Sequence, residues 1–267
     1  MFMSNIQNPS LFYRLVAIAA FALLSACGGG GGGASDDKSV SQISNSGVAL
    51  DGYLYKATAY LDLNNNGNLD TNEPQSITDA LGRFTLDATS AQLTTYPIRV
   101  MAVAGTTIDQ DNPNSPITAA FTLTAPVGLT AVISPITTLV AAKVAQGASL
   151  ADAQASVRTE LGLASDIDIM KDFVAEKGQD SRYAQIHNLA TSLAEVLQRV
   201  EATSSGSTTL DQKIATLRSN YAQTIVPNAT AIKNSATPAA ALSFAKTKLD
   251  QNVILTNKGF TLKVNAK

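Results

Sequence analysis

The chain has 267 residues, of which 45% are hydrophobic, and a formal net charge of −2. That length holds one large domain or two small ones, and its charge lacks the basic footprint of a nucleic-acid binder. A single cysteine and a single histidine exclude a disulfide framework and leave no ligand set for a zinc centre.

Residues 1–26 read as an export signal. Arg14 supplies a positive charge, residues 15–24 are apolar without a break, and Ser25 and Ala26 are small residues ahead of Cys27. Those are the parts of a secretory signal in their usual order. The apolar run is shorter than the roughly 20 residues that span a bilayer. Leu24-Ser25-Ala26-Cys27 resembles a bacterial lipobox. The resemblance implies an exported lipoprotein whose first mature residue, Cys27, carries acyl chains, and several chains anchor stably where one is marginal. Gly28 follows the cysteine, and by analogy with Gram-negative sorting the absence of Asp there points to the outer membrane, with the domain facing the periplasm or the cell surface. The glycine run 28–33 opens a flexible tether expected to span residues 27–46.

From 47 to 127 the text is that of short strands. Residues 47–50, 57–63, 83–86, 98–103 and 119–124 are β-prone runs bounded by Gly, Pro, Asn and Asp. Residues 58–63 and 83–87 alternate with period two, which predicts a small antiparallel sandwich with one buried face. The fold class expected is therefore α+β, a small antiparallel β-sandwich followed by an all-α helical domain over residues 128–267.

One segment in the β region carries metal chemistry. Asp62-Leu63-Asn64-Asn65-Asn66-Gly67-Asn68-Leu69-Asp70-Thr71-Asn72-Glu73 matches the twelve-residue calcium loop, which gathers oxygens from positions 1, 3, 5, 7, 9 and 12 around a glycine turn at 6. Asp62, Asn64 and Asn66 offer side-chain oxygens, Asn68 its carbonyl, Asp70 a direct or water-borne contact and Glu73 a bidentate carboxylate. Leu69 is expected to anchor the loop to the core. A metal-free Asn/Gly-rich turn is the simpler alternative, but it leaves the spacing of Asp70 and Glu73 unexplained. The flanks are not helical, because residues before Asp62 alternate as a strand and Pro74 disfavours a helical Glu73. Ca2+ is thus expected to brace a β scaffold. With only three carboxylates in the set, its affinity falls in the extracellular range of about 10⁻⁴ to 10⁻³ M.

Residues 57–64, then Asn72-Glu73-Pro74, then Thr78-Asp79-Ala80-Leu81-Gly82-Arg83-Phe84 resemble a prealbumin-like β-sandwich module. The segment is similar to the B-type repeats of serine–aspartate-repeat surface adhesins and to carboxypeptidase regulatory-like domains, over about residues 47–125. The resemblance implies a stalk or display unit. Residues 133–140 and the helices after them resemble a segment that follows such modules in large exported bacterial proteins, with no activity implied.

The helical half announces itself by its caps. Ser134-Pro135 opens a helix and Gly147 stops it. Ser149 with Asp152 is close to a capping box and opens a second helix closed by Gly162. A third is expected over 168–177. The longest begins near Ser181, with Tyr183, Ile186, Leu189, Leu193, Val196, Leu197 and Val200 on one stripe. A further helix over 210–222, a loop around Pro227, a last helix from Thr237-Pro238 to about Leu249 and a terminal hairpin from 253 to 264 complete the reading.

No catalytic constellation stands out. His187 reads as a boundary residue on the long helix, and the chain lacks a G-x-S-x-G elbow. Tyr53, Tyr55 and Tyr60 could form a contact patch but read as ordinary strand tyrosines. The loop 109–114 reads as solvated, able at most to lend a metal ligand. The sequence therefore points to a non-enzyme: a calcium-braced display, adhesion or binding module held to the membrane by its lipid, with a protein or glycan partner of unknown identity. An accessory subunit of an envelope complex and a carboxylate-dependent hydrolase are the alternatives.

Overall fold

The computed structural model describes residues 41–257, with side chains as far as residue 252. The export signal, Cys27, the glycine run and residues 258–267 lie outside the described residues.

Strand β1 (Gln42–Ala49) pairs antiparallel with β5 (Arg83–Thr89) along its whole length. β5 shows why its period-two pattern is legible: Phe84, Leu86 and Ala88 turn inward while Arg83, Thr85 and Asp87 face out. β1 starts earlier than expected, so residues 42–46 belong to the sheet and not to the tether. Those residues have little apolar alternation, and the ladder holds them together with cross-strand polar pairs. Ser44 Oγ donates to Asp87 Oδ1 at 2.5 Å, and the Ser46 and Thr85 hydroxyls meet at 3.1 Å.

A second sheet has the order β4 (Gln75–Ile77), β3 (Thr58–Leu61), β6 (Ile98–Ala102), β8 (Phe121–Thr124), all antiparallel. β3 is buried on both faces, Thr58 and Tyr60 included. Its outer side is covered because the Tyr60 hydroxyl donates to the carbonyl of Gly67 at 3.1 Å, drawing the loop after β3 back over the strand. β2 (Leu54–Tyr55) and β7 (Ile108–Asp109) form a short ribbon, and α1 (Ser90–Thr95) bridges β5 to β6.

The turn between β4 and β5 explains the Thr-Asp-x-x-Gly-x-Phe pattern physically. Asp79 Oδ1 accepts the amides of Leu81 and Arg83, and Thr78 Oγ1 accepts the amide of Ala57 at 2.9 Å while donating to Leu54 O at 2.5 Å. Gly82 has φ +68°, and a Cβ there would lie 2.4 Å from the carbonyl oxygen of Ala49, so only glycine fits.

Seven residues beyond β8, β9 (Val132–Ile133) pairs parallel with β1 and hands the chain to α2 (Pro135–Val144). Ser134 caps the helix ahead of Pro135, as the Ser-Pro start implies, and adds a capping box with Thr137. Next come α3 (Leu150–Glu160), α4 (Phe173–Glu176), α5 (Arg182–Ala202), α6 (Leu210–Asn220), a π-turn (Tyr221–Ile225), α7 (Val226–Lys233) and α8 (Pro238–Asn257). α5 is the axis on which α2, α4, α6, α7, α8 and β8 pack. Its burial extends well beyond one stripe, to Asn188, Thr191 and Ser192. The hydroxyls of Thr191 and Ser192 each bond back to the carbonyl four residues earlier, so they enter the core without leaving a donor unpaired. One cluster of buried apolar residues runs from Ala49 on β1 to Leu249 on α8.

Three helical boundaries differ from expectation. α4 is one turn long, because Asp168 spends its carboxylate on an Asx turn to Met170 while Asp172 caps Val174 and Ala175. No loop surrounds Pro227. α6 passes through the π-turn into α7, which begins at Val226, and the carbonyl of Gln223 opposite the proline is met by Asn252 Nδ2 at 3.4 Å. A wider turn moves the carbonyl that a proline ring would strike. Finally, α8 continues to Asn257, so the first arm of the expected hairpin is helical as far as that residue. Among the described residues no helix is long and apolar enough to cross a membrane.

Candidate functional site: the Asp62–Glu73 loop

The loop leaves the end of β3 and returns at Pro74, at the head of β4. Asp62 is fully buried at its start. Its Oδ1 accepts the amide of Asn66 at 3.1 Å and its Oδ2 the amide of Gly67 at 2.9 Å. Gly67 has φ +81° and Asn65 φ +54°, so the sharp turn falls where the glycine was expected. Asn64 Oδ1 shares the Asn66 amide, and Asn66 Oδ1 accepts the amide of Asn68 at 2.7 Å.

The side chains at positions 3, 5 and 9 meet at one place. Asn64 Nδ2 and Asn66 Nδ2 both donate to Asp70 Oδ2, at 2.7 and 2.8 Å. Glu73 is buried and folds back across the loop: Oε1 accepts the amide of Leu63 at 2.8 Å and Oε2 the amide of Asp70 at 3.0 Å. Leu63, rather than Leu69, packs on the core. Tyr60 is buried beneath the loop and the Tyr53 hydroxyl donates to Asp172, so the three tyrosines make no common patch.

Arg99 on β6 is the partner that local sequence does not reveal. Its Nε donates to Asp62 Oδ2 at 2.6 Å, Nη1 to Thr124 Oγ1 at 2.8 Å and Nη2 to Asn65 Oδ1 at 3.1 Å. The guanidinium thus neutralises Asp62 and ties the loop to β6 and β8. Among the described residues no group of three or more His, Cys, Asp or Glu side chains converges in a way that would hold a metal ion. The loop carries oxygens of the kind and number that calcium takes, on Asp62, Asn64, Asn66, Asp70 and Glu73, while the contact in place among Asn64, Asn66 and Asp70 is made through the asparagine nitrogens. Holding the ion there requires the two amides to turn their oxygens toward Asp70 in place of their nitrogens.

A second polar cluster lies where the ribbon meets α5. Asp51 is buried, and its Oδ1 has no hydrogen-bond partner among the described residues. Burial, with Asp109 and Asp111 nearby, pushes the Asp51 carboxyl well above its usual range. Asp109 rises to about 6, chiefly through burial, although its Oδ1 accepts the amides of Gly52 and Asp111. His187 is 1% exposed, which corrects its reading as a boundary residue. Lys177 Nζ lies 3.2 Å from its Nδ1. An ammonium only donates, so Nδ1 is the acceptor in that contact, and Nε2 lies 2.6 Å from Asp111 Oδ2. Residues 111–114 of the loop expected to be solvated are exposed, but the carboxylates of Asp109 and Asp111 turn inward. Asp51 carried no local signal; the carboxylates near it, Asp109 and Asp111, come from β7 and the loop after it.

Comparison with family models, curated proteins and solved structures finds no significant match to this chain.

Proposed function

We propose that the protein is an exported, lipid-anchored display or binding module whose Asp62–Glu73 loop binds calcium and braces the sheet beneath it. The observation that carries the calcium reading is the meeting of Asn64, Asn66 and Asp70 side chains within 2.8 Å, with Asp62 and Glu73 folded into the same loop. Asp62, Asn64, Asn66, Asp70 and Glu73 would hold the ion by side-chain oxygens and Asn68 by its carbonyl. Calcium would supply charge neutralisation and cross-linking of the loop. Tyr60, Leu63 and Arg99 fix that loop to β3, the core and β6, so bound ion would stiffen the sheet and has no hinge to open. This favours a structural role over a switch.

The lipid on Cys27, the 27–41 tether and an outer-membrane address belong to the same proposal and rest on the lipobox resemblance. The prealbumin-like description of the β part rests on the sequence resemblance, supported by the antiparallel four-stranded sheet, the β1–β5 ladder and the Thr78–Asp79–Gly82 turn. A stalk or display role against a protein or glycan partner follows from that description.

Thermal unfolding with calcium and with EDTA tests the site. At about ten times a sub-millimolar Kd, ligand binding stabilises by about 1.4 kcal/mol, which raises Tm by roughly 3–6 °C in a domain of this size. Identical melts in about 5 mM calcium and in EDTA defeat the calcium reading. Protease treatment of intact cells tests display, and protection from digestion argues for a periplasmic face.

A further inference from the structure

Behind the loop lies a cavity of about 330 Å³ that the loop's own chemistry does not use. One wall is the back of the loop, at Asn65 and Gly67, with Arg99 and Thr124 beside it. The opposite wall is aliphatic, from Ala141 and Ala142 on α2, Leu197 and Val200 on α5 and Ile214 and Leu217 on α6. Ligand sites of about 300–1,000 Å³ with apolar walls and a few fixed polar groups are the usual form of a small-molecule pocket. A cavity of about 150 Å³ accommodates benzene, so this one has room for two fused rings or a chain of comparable bulk.

The polar end sets the chemistry of the occupant. Arg99 has five N–H groups, and three of them go to Asp62, Asn65 and Thr124. The two N–H groups left over belong to a side chain that lines the cavity, and they call for an oxygen acceptor on the ligand. Its charge is already met, since Asp62 lies 2.6 Å from Nε. Lys213, the other cation on the wall, is likewise paired with Glu201 at 3.0 Å. Asp211 adds a negative charge on the wall. An anionic ligand therefore gains no net attraction while losing its hydration.

We infer that this cavity is a binding site for a neutral, largely apolar molecule of about two-ring size that bears an oxygen acceptor, seated with that oxygen at Arg99 and its body against α2, α5 and α6. The site does not rest on the calcium reading, because its polar end is Arg99, its body is formed by the helices and no step needs a metal.

The test uses the full chain carrying Cys27→Ser, which cannot take the lipid, in EDTA. The probes are 2-naphthol, naphthalene and 2-naphthoate, followed by titration calorimetry and ligand-observed saturation-transfer NMR. The expected result is saturable binding of 2-naphthol, with naphthoate at least about tenfold weaker and naphthalene weaker than naphthol. Ala141→Phe on α2 and Ile214→Trp on α6 each fill the space and are expected to abolish binding while melting cooperatively. Two independent filling variants guard against one of them failing to fold. Absence of naphthol binding overturns the site, as does binding that survives in a folded filling variant. Tighter binding of naphthoate overturns the assignment of a neutral ligand.

Discussion

Arg99 and Asp62 form a buried ion pair, 2.6 Å from Nε to Oδ2, with side chains 6% and 0% exposed. The arginine comes from the middle of the sheet and the aspartate from the first position of the loop, 37 residues earlier. Asp62 also takes two loop amides, so its carboxylate is satisfied only while both the loop turn and the β3–β6 register are formed. Removing one partner of such a pair leaves a buried charge uncompensated, at a cost of about 3–5 kcal/mol. Arg99→Met is therefore expected to lower Tm by at least about 6 °C. Arg99→Lys should recover little, because one ammonium cannot reach Asp62, Thr124 and Asn65 in the guanidinium's fixed fork. Urea melts of the three proteins check this. On the calcium reading, the ion would replace the lost positive charge, so Arg99→Met should gain more from calcium than the parent chain does.

Glu73 separates the loop's hydrogen bonding from its metal chemistry. Each of its oxygens accepts a backbone N–H, from Leu63 and from Asp70. In EDTA, Glu73→Gln keeps one acceptor and should cost about 1–3 kcal/mol through the amide left facing a donor. In calcium the variant should lose most of the stabilisation seen in the parent, because a neutral amide cannot act as a bidentate anion. Calorimetric titration of calcium into Glu73→Gln, with heats matching the parent, would remove this residue from the ligand set.

How far these features could be read beforehand depends on how local their physics is. The loop was legible because one stretch of chain supplies its turn glycine and all its oxygens. The starts of α2 and α3 were legible because Ser134 and Ser149 bond to amides three residues on. β5 was legible because its inward face is apolar and its outward face polar. The first half of β1 was not, since its Ser44 and Ser46 are held only by partners on β5. Arg99, Asp51 and the inward turn of Asp109 depend on contacts across the sheet or between sheet and α5, which no window of sequence contains. Pro227 misled for a related reason: its helix survives through the π-turn and Asn252 on α8.

The Asp51–Asp109 cluster gives the fold an acid-stabilised component. Asp109 has its carboxyl raised from 3.8 to about 6, so the folded chain holds a proton there that the unfolded chain releases. Its contribution is fully present below about pH 4 and is lost as pH rises through about 6; Asp51, also raised, acts in the same direction. Glu160, held low by its bonds to Lys143 and Ser156 despite burial, acts oppositely and loses its contribution in acid. Asp109→Asn removes the charge but keeps an oxygen for the amides of Gly52 and Asp111. It is expected to stabilise at pH 7.5 by about 1–3 kcal/mol and to change little at pH 4. The difference in Tm between variant and parent, measured from pH 4 to 8, isolates this cluster from the other carboxylates. A difference that does not grow with pH would show that Asp109 is ionised throughout.

The helices are sewn to the edge of the larger sheet at one residue. Thr124, the last of β8, gives its amide to Thr138 Oγ1 at 2.8 Å, and its carbonyl receives Thr137 Oγ1 at 3.0 Å. An edge strand with open N–H and C=O groups invites pairing with another chain; here the first turn of α2 takes both groups. Thr137 also completes the capping box with Ser134, so its loss removes two functions, whereas Thr138 bonds only Thr124 and the Ser134 carbonyl. Thr138→Val preserves shape and leaves the Thr124 amide without its acceptor, at an expected cost of about 1–3 kcal/mol. Thr137→Val is expected to cost more, by about 1 kcal/mol for the lost cap. Amide hydrogen exchange is the direct readout: the Thr124 N–H should exchange faster in Thr138→Val, whereas unchanged protection would mean that another group satisfies it.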